Sequence, residues 1–423
     1  MKRSYLAAGY LSLVWLTFCF RLPFAAWEGV PLYIVTSLLV MLMIPRAMIG
    51  ALLLSALLLL YEAIKLLQPD FIPTLKGELG LPALGVALSA SYFCLVEVRK
   101  MPDRMLAIWL RLNLALILGA ILFENVLGAA GLIHSAYRHY VLPIDRWSGL
   151  YAEPSFIALA IGPYIFFAVN NFQLFKRYLK LSSLYIMGLI VILDPSATLI
   201  GVSMLAGLFV TLSRIMRGRL TGIVGGLVVF IALGVAVFAV PDISERFIGV
   251  MSATDPTSLR EENGSSLLFT KGRQMATYAL MHQPLGVAFQ NMQILAPESD
   301  VSYISNNFYD LNSADGTSIL FKGASEFGWL FLVLAAGWLW RFMRDMIGDP
   351  RNSLFTATVL LFEFSLFEHF IRGTSYFNGV ISIGLAIFVF STLNGRARRG
   401  SGFFRRLAGV KPWRVPAGGA TEA

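Results

Sequence analysis

Apolar runs of about twenty residues follow one another from Tyr5 to Leu393, and most are long enough to cross a bilayer as a helix. No other feature constrains the fold as strongly. Backbone inside hydrocarbon must satisfy its own hydrogen bonds, so such runs become helices that pack on one another. Composition agrees: 57% of the 423 residues are hydrophobic and 14% are charged, against about 25% charged in an ordinary soluble domain. The expected class is all-α, a polytopic membrane protein in which residues 1–423 form a single transmembrane domain.

The first run begins after Met1, Lys2 and Arg3 without a convincing small-residue cleavage site, so it reads as a retained helix rather than a signal peptide. Hydropathy places helices at about 5–24, 31–45, 48–66, 79–97, 105–124, 154–171, 182–194, 197–213, 221–240, 318–341, 353–371 and 377–394, about 12 in all. The seventh is short and ends at "DPSAT" (Asp194 to Thr198), where a kink in one re-entrant element is the alternative. Cys19 and Cys94 both sit inside apolar runs, as small core residues do. No internal repeat and no low-complexity segment stands out.

Charge sets the orientation. With the N-terminus in the cytoplasm and strict alternation, the inside segments hold Lys2 and Arg3, Arg46, "RKMPDR", "KRYLK", "SRIMRGR", "RFMRDMIGDPR" and the basic tail 395–423, most of the 34 Lys+Arg. Every short inside segment is basic, as the positive-inside rule requires. The net charge of +9 is therefore mostly topological. The tail "RARRGSGFFRRLAGVKPWR" reads as a partner for membrane lipid headgroups, and nucleic acid is a poor partner for a tail of this kind.

Two outside segments are long, 125–153 and 241–317, and loops of that length are commonly functional. The second contains "FTKGRQMATYALMHQPLGVAFQNMQ", which reads as a helix followed by a turn. The signatures of soluble nucleotide, zinc-protease and dithiol chemistry (P-loop, GxGxxG, HExxH, CxxC) are missing from the sequence. With only four histidines, a metal cluster is not expected.

Polar residues at the outer ends of helices carry the remaining information. In "DRWSGLYAEPSFIA", Pro154 suits the first helical position and places Glu153 at the helix start. Spacing leaves two readings for Glu153: dipole stabilisation, or a carboxylate held at fixed height over a cavity. Arg146 is its ion partner or an anion ligand. Lys271 and Arg273 open the loop helix, and a solvated face accounts for Lys271. Glu368, His369 and Arg372 cluster at the end of the eleventh helix, with Glu368 and Arg372 at the i, i+4 spacing of a helix-end ion pair. Arg111, Lys322, Glu326 and Glu363 lie within helices and are expected to pair inside the bundle. Arg146, Arg273 and Arg372 fall on one face beside carboxylates. That arrangement suits an anionic lipid-linked substrate, because guanidinium forks bind phosphate bidentately.

Three stretches then resemble a known family. "RWSGLYAEPSFIA" resembles the "R-x-x-G-L-F-x-E-P-S/N" signature of the O-antigen polymerase (Wzy-like) family. "GRQMATYALMHQPLGVAFQNM" is similar to that family's "GR…W…I…P-x-x-G-V-G…N" stretch, and "SADGTSILFKGASEFGWLFLVLAAGWLW" to its "HN…L…E-x-G…G" stretch. The resemblance covers about 145–345.

The resemblance implies a glycosyltransferase-C-like membrane fold in the bacterial inner membrane, working on the periplasmic side. It implies transfer of glycans between undecaprenyl-diphosphate carriers with no cofactor and no metal. Arg146 and Arg273 would bind the diphosphate, joined by Arg372, Lys271 and Tyr151. Glu153 matches the motif glutamate, and Glu326 and Gly328 match a structural "E-x-G" pair. The family's histidine position falls near Thr317–Ser318, where this chain has none. Asp315 and Glu153 are then the first candidates for the general base, with His369 next. That departure weakens the ligase alternative, in which the glycan moves to lipid A core, and favours a polysaccharide polymerase. A lipid-linked sugar transporter or flippase is the alternative from a different class. Chain-length control in such pathways calls for a partner copolymerase, which no residue here identifies.

Overall fold

A computed structural model describes residues 2–19, 30–69, 71–131, 136–138, 145–147, 154–193, 197–217, 264–298, 318–347, 353–373, 376 and 379–397. The helices in chain order are α1 (Lys2–Cys19), α2 (Val30–Met43), α3 (Pro45–Lys65), α4 (Leu75–Val98), α5 (Asp103–Ala129), α6 (Pro154–Asn170), α7 (Phe172–Leu179), α8 (Leu181–Leu193), α9 (Ala197–Met216), α10 (Gly264–His282), α11 (Ile319–Ile347), α12 (Leu354–Ile371) and α13 (Gly379–Ala397). Each helix expected from hydropathy has an observed counterpart, except the one at 221–240, which lies outside the described residues.

Six helices are each long and apolar enough to cross a membrane: Pro45–Lys65, Leu75–Val98, Asp103–Ala129, Thr198–Met216, Ile319–Ile347 and Leu354–Ile371. These describe a multi-pass membrane protein. The segments at 33–43, 181–191 and 380–390 are apolar but shorter. Among the described residues the only strands are β1 (Ala136–Arg138) and β2 (Asp145–Trp147), an antiparallel ribbon pairing Tyr137 with Arg146.

Small residues let α3 and α4 approach closely, as in membrane helix pairs generally. A Cβ on Gly50 would lie 2.6 Å from Ser89 Oγ, and Ser89 donates to the Ala47 carbonyl at 2.6 Å. Elsewhere aromatic rings fill the interior. Trp15 stacks on Tyr164 at 5.2 Å, Phe166 on Phe364 at 4.3 Å and Trp338 on Phe367 at 3.6 Å.

Cross-contacts fix the helix directions. Arg3, Val40, Met43, Ile44 and Cys94 line one small cleft, which sets the start of α1 beside the α2–α3 corner and the last turns of α4. Trp109 Nε1 on α5 donates to the Ala8 carbonyl and Ser12 Oγ on α1, and Tyr164 on α6 donates to the Leu110 carbonyl. Arg3, Arg46, Arg99, Lys100 and Arg104 thereby gather at one end of the bundle. The opposite end carries the ends of α3 and α12 and the start of α11.

One helix escaped the hydropathy reading. "FQLFKRYL", which overlaps the inside segment "KRYLK", forms α7, bent 119° away from α6. Asn171 caps it by accepting from the Leu174 N–H at 3.2 Å, and Leu174, Phe175 and Leu179 form its buried face.

Candidate functional site

The loop helix expected around Lys271 and Arg273 is present as α10, followed by a turn at 283–291 and a 3-10 helix at Met292–Glu298. α10 runs parallel to the first half of α11. Phe269 meets Phe321 at 4.8 Å, and Trp329 Nε1 donates to the Leu280 carbonyl. α12 runs antiparallel to α11, with Phe331 on Phe370 at 6.1 Å and Arg341 on Glu363 at 3.4 Å. Lys271, Arg273, Lys322, Glu326, Glu368, His369 and Arg372 therefore share one end of the bundle, with α11 between the other two helices.

Burial separates these residues. Lys271 is 2% exposed and Lys322 5%, whereas Arg273 and Arg372 are half-buried. Glu326, Glu368 and His369 are fully buried. His369 Nδ1 lies 2.6 Å from the Ser365 carbonyl. A carbonyl can only accept, so the proton sits on Nδ1 and Nε2 is the basic atom.

Glu368 does not form the expected ion pair with Arg372. Its carboxylate oxygens have no hydrogen-bond partner, and its Oε1 fills the space that a Cβ on Gly162 of α6 would need. Arg372 instead closes the helix through its backbone N–H, which donates to the Glu368 carbonyl at 3.0 Å. The i, i+4 spacing permitted the pair, but packing against the glycine notch turned the carboxylate away.

Glu326 and Glu363 face protein interior as expected for ionisable groups at membrane depth. Glu363 pairs with Arg341. Glu326 lies among Lys322, Lys65, the Gln290 backbone and Tyr376. The Lys322 ammonium sits 5.7 Å from the Tyr376 ring centre. Burial, and then the charge of Glu326, push the Tyr376 phenol well above its ordinary value, so it remains a neutral hydroxyl.

The "E-x-G" stretch is a break in α11. Gly328 has φ 57 and ψ −145, a conformation open to glycine and strained for other residues. A Cβ there would overlap the Pro284 carbonyl, and one on Gly286 (φ 86) would lie 2.5 Å from the Glu326 carbonyl. The two glycines are thus the points where the 284–291 turn crosses the broken helix.

Breaking a helix frees backbone groups that must find partners when buried. Several groups at the break find theirs on the turn and on α3. Val287 N–H donates to the Ser325 carbonyl at 2.8 Å, and Trp329 N–H to the Pro284 carbonyl at 3.0 Å. Lys65 Nζ, at the end of α3, donates to the Glu326 and Val287 carbonyls at 2.7 and 2.8 Å and to Glu62 Oε2 at 2.7 Å. Tyr61 donates to the Leu285 and Phe327 carbonyls, both at 2.9 Å. Gln68 spans the Leu285 N–H and Gly286 carbonyl, and Glu62 Oε1 accepts from the Phe289 N–H. Sequence reading missed this α3 latch: Lys65 and Val287 are 222 positions apart, and no local pattern marks them.

Of the other expected site residues, Arg146 is on β2, with its side chain outside the described residues. Tyr151, Glu153 and Asp315 also lie outside them. The described parts define a polytopic helical membrane protein with a cation-rich end built around a broken helix. Comparison with protein-family models and with curated proteins finds no match for this chain.

Proposed function

We propose that the chain is an inner-membrane glycosyltransferase that polymerises undecaprenyl-diphosphate-linked oligosaccharide repeat units on the periplasmic face. One observation carries the reading. Two stretches that resemble the polymerase family separately, Gly272–Met292 and the described part of Ser313–Trp340, pack on each other through Gly286 and Gly328, at the same end of the bundle as Arg273 and Arg372.

In this reading Arg146, Arg273, Arg372 and Lys271 hold the diphosphate and stabilise the charge it gains on leaving. A carboxylate, Glu153 or Asp315, or else the His369 imidazole, takes the proton of the acceptor hydroxyl. The acceptor oxygen bonds to the anomeric carbon as the carbon–phosphate oxygen bond breaks, inverting the configuration. The test is purified protein in a bilayer with a defined lipid-linked repeat unit. A ladder of longer glycans on the same carrier is the expected product, and no new glycosidic bond under any acceptor condition refutes the reading.

The broken helix at Gly328 favours a second reading, a transporter of lipid-linked sugars, since discontinuous helices line transporter sites. A transporter moves the repeat unit across the bilayer and leaves its length unchanged, so the same experiment separates the two. Transfer to a lipid A core acceptor in place of elongation would mark a ligase.

A further inference from the structure

The amphipathic helix α7 has an outer face that the proposed reaction does not use. Lys176, Arg177 and Lys180 are exposed, and among the described residues no carboxylate pairs with them. Phe172 at its start is 43% exposed. The helix is firmly seated: Arg111 of α5 donates through Nε to the Tyr178 carbonyl, Asn171 caps the first turn, and the Arg214 guanidinium of α9 lies 3.5 Å from the Val169 carbonyl.

What surrounds this face decides its partner. On α8 Tyr185 is 71% and Leu189 47% exposed; on α5 Leu112 is 59% and Leu116 52% exposed. A basic platform thus borders broad apolar surfaces on both neighbouring helices. An acidic protein would match the charge but leave the apolar borders uncovered, whereas a phospholipid matches both, with phosphate on the cations and acyl chains along α5 and α8.

We propose that α7 is a docking platform for anionic phospholipid, with Lys176, Arg177 and Lys180 holding the headgroup phosphate. The inference is independent of the glycosyltransferase reading and requires only that the chain sits in a bilayer.

The full-length chain is reconstituted in discs of phosphatidylcholine with a minority of phosphatidylglycerol, and the lipids it retains on release are identified by native mass spectrometry. Retention of phosphatidylglycerol over phosphatidylcholine is expected, weakening in high salt. In K176Q/R177Q/K180Q the preference falls by about fivefold for each charge removed. The charge-conserving K176R/R177K/K180R keeps it. Neutralising the exposed Lys100 and Arg344 instead leaves it intact. An unchanged preference in the triple glutamine variant overturns the proposal. So does an equal loss in the charge-conserving variant, or an equal loss on neutralising Lys100 and Arg344.

Discussion

Replacing Lys65 with methionine tests the latch that holds the 284–291 turn on the broken helix. The methionine keeps the chain length and removes the ammonium. Three acceptors lose their donor together: Glu62 Oε2, the Val287 carbonyl and the Glu326 carbonyl. The Lys65 side chain is fully buried and that of Glu62 only 7% exposed, so water replaces little of the loss. Removing one member of a buried ion pair costs about 3–5 kcal/mol, and the two orphaned carbonyls push the value toward the upper end. The effect is local, because the turn and the break depend on this contact while the bundle helices do not.

Hydrogen–deuterium exchange of the purified chain reads it directly. The Val287 and Phe289 amides, which donate to the Ser325 carbonyl and to Glu62, should exchange more than about a hundredfold faster, since even a loss of about 3 kcal/mol requires that much. Amides in the middle of α4 should not change. Lys65→Met combined with Glu62→Leu should recover much of the Val287 protection, since the stranded carboxylate is then gone, but not that of Phe289, whose acceptor goes with it. Unaltered exchange over 284–291 in the single variant would refute the latch.

Two further outcomes follow from the glycine notches and the buried carboxylate. Gly328→Ala should abolish the folded, monodisperse protein in detergent size-exclusion chromatography, because its Cβ overlaps the Pro284 carbonyl, whereas Gly337→Ala, with open space around it, should leave the profile intact. Gly162→Ala should lower the melting temperature through its clash with Glu368, while Glu368→Gln should shift stability by less than about 1 kcal/mol, since no donor to the carboxylate is lost.

Sequence patterns made some of this legible and hid the rest. Twenty-residue apolar runs gave the membrane helices, and Pro154 marked the start of α6 where the chain turns helical. "HQPLG" stopped α10 at His282 as expected. α7 escaped because eight residues that include Gln173, Lys176 and Arg177 are too short and too polar for a window tuned to membrane spans. The resemblance marked Glu326 and Gly328 as a structural pair, but hydropathy carries one helix across 318–341, and the break shows only once the Pro284 carbonyl is known to occupy the place of the Gly328 Cβ. Lys65 carries no mark in the sequence, since its partners come from the distant 287 and 326 backbone. Glu368 and Arg372 show the converse, a legible spacing that packing did not use.

The central claim is that the cation-rich end holds a carrier diphosphate during polymerisation. The most direct test compares wild-type and Arg273→Ala protein, purified and reconstituted, on a defined undecaprenyl-diphosphate oligosaccharide, with donor binding measured alongside elongation. The account predicts a product ladder for the wild type and, for the variant, elongation slowed by about a hundredfold or more, the scale of losing one charge-stabilising group at a reacting centre. Elongation at the wild-type rate by folded Arg273→Ala protein would contradict it.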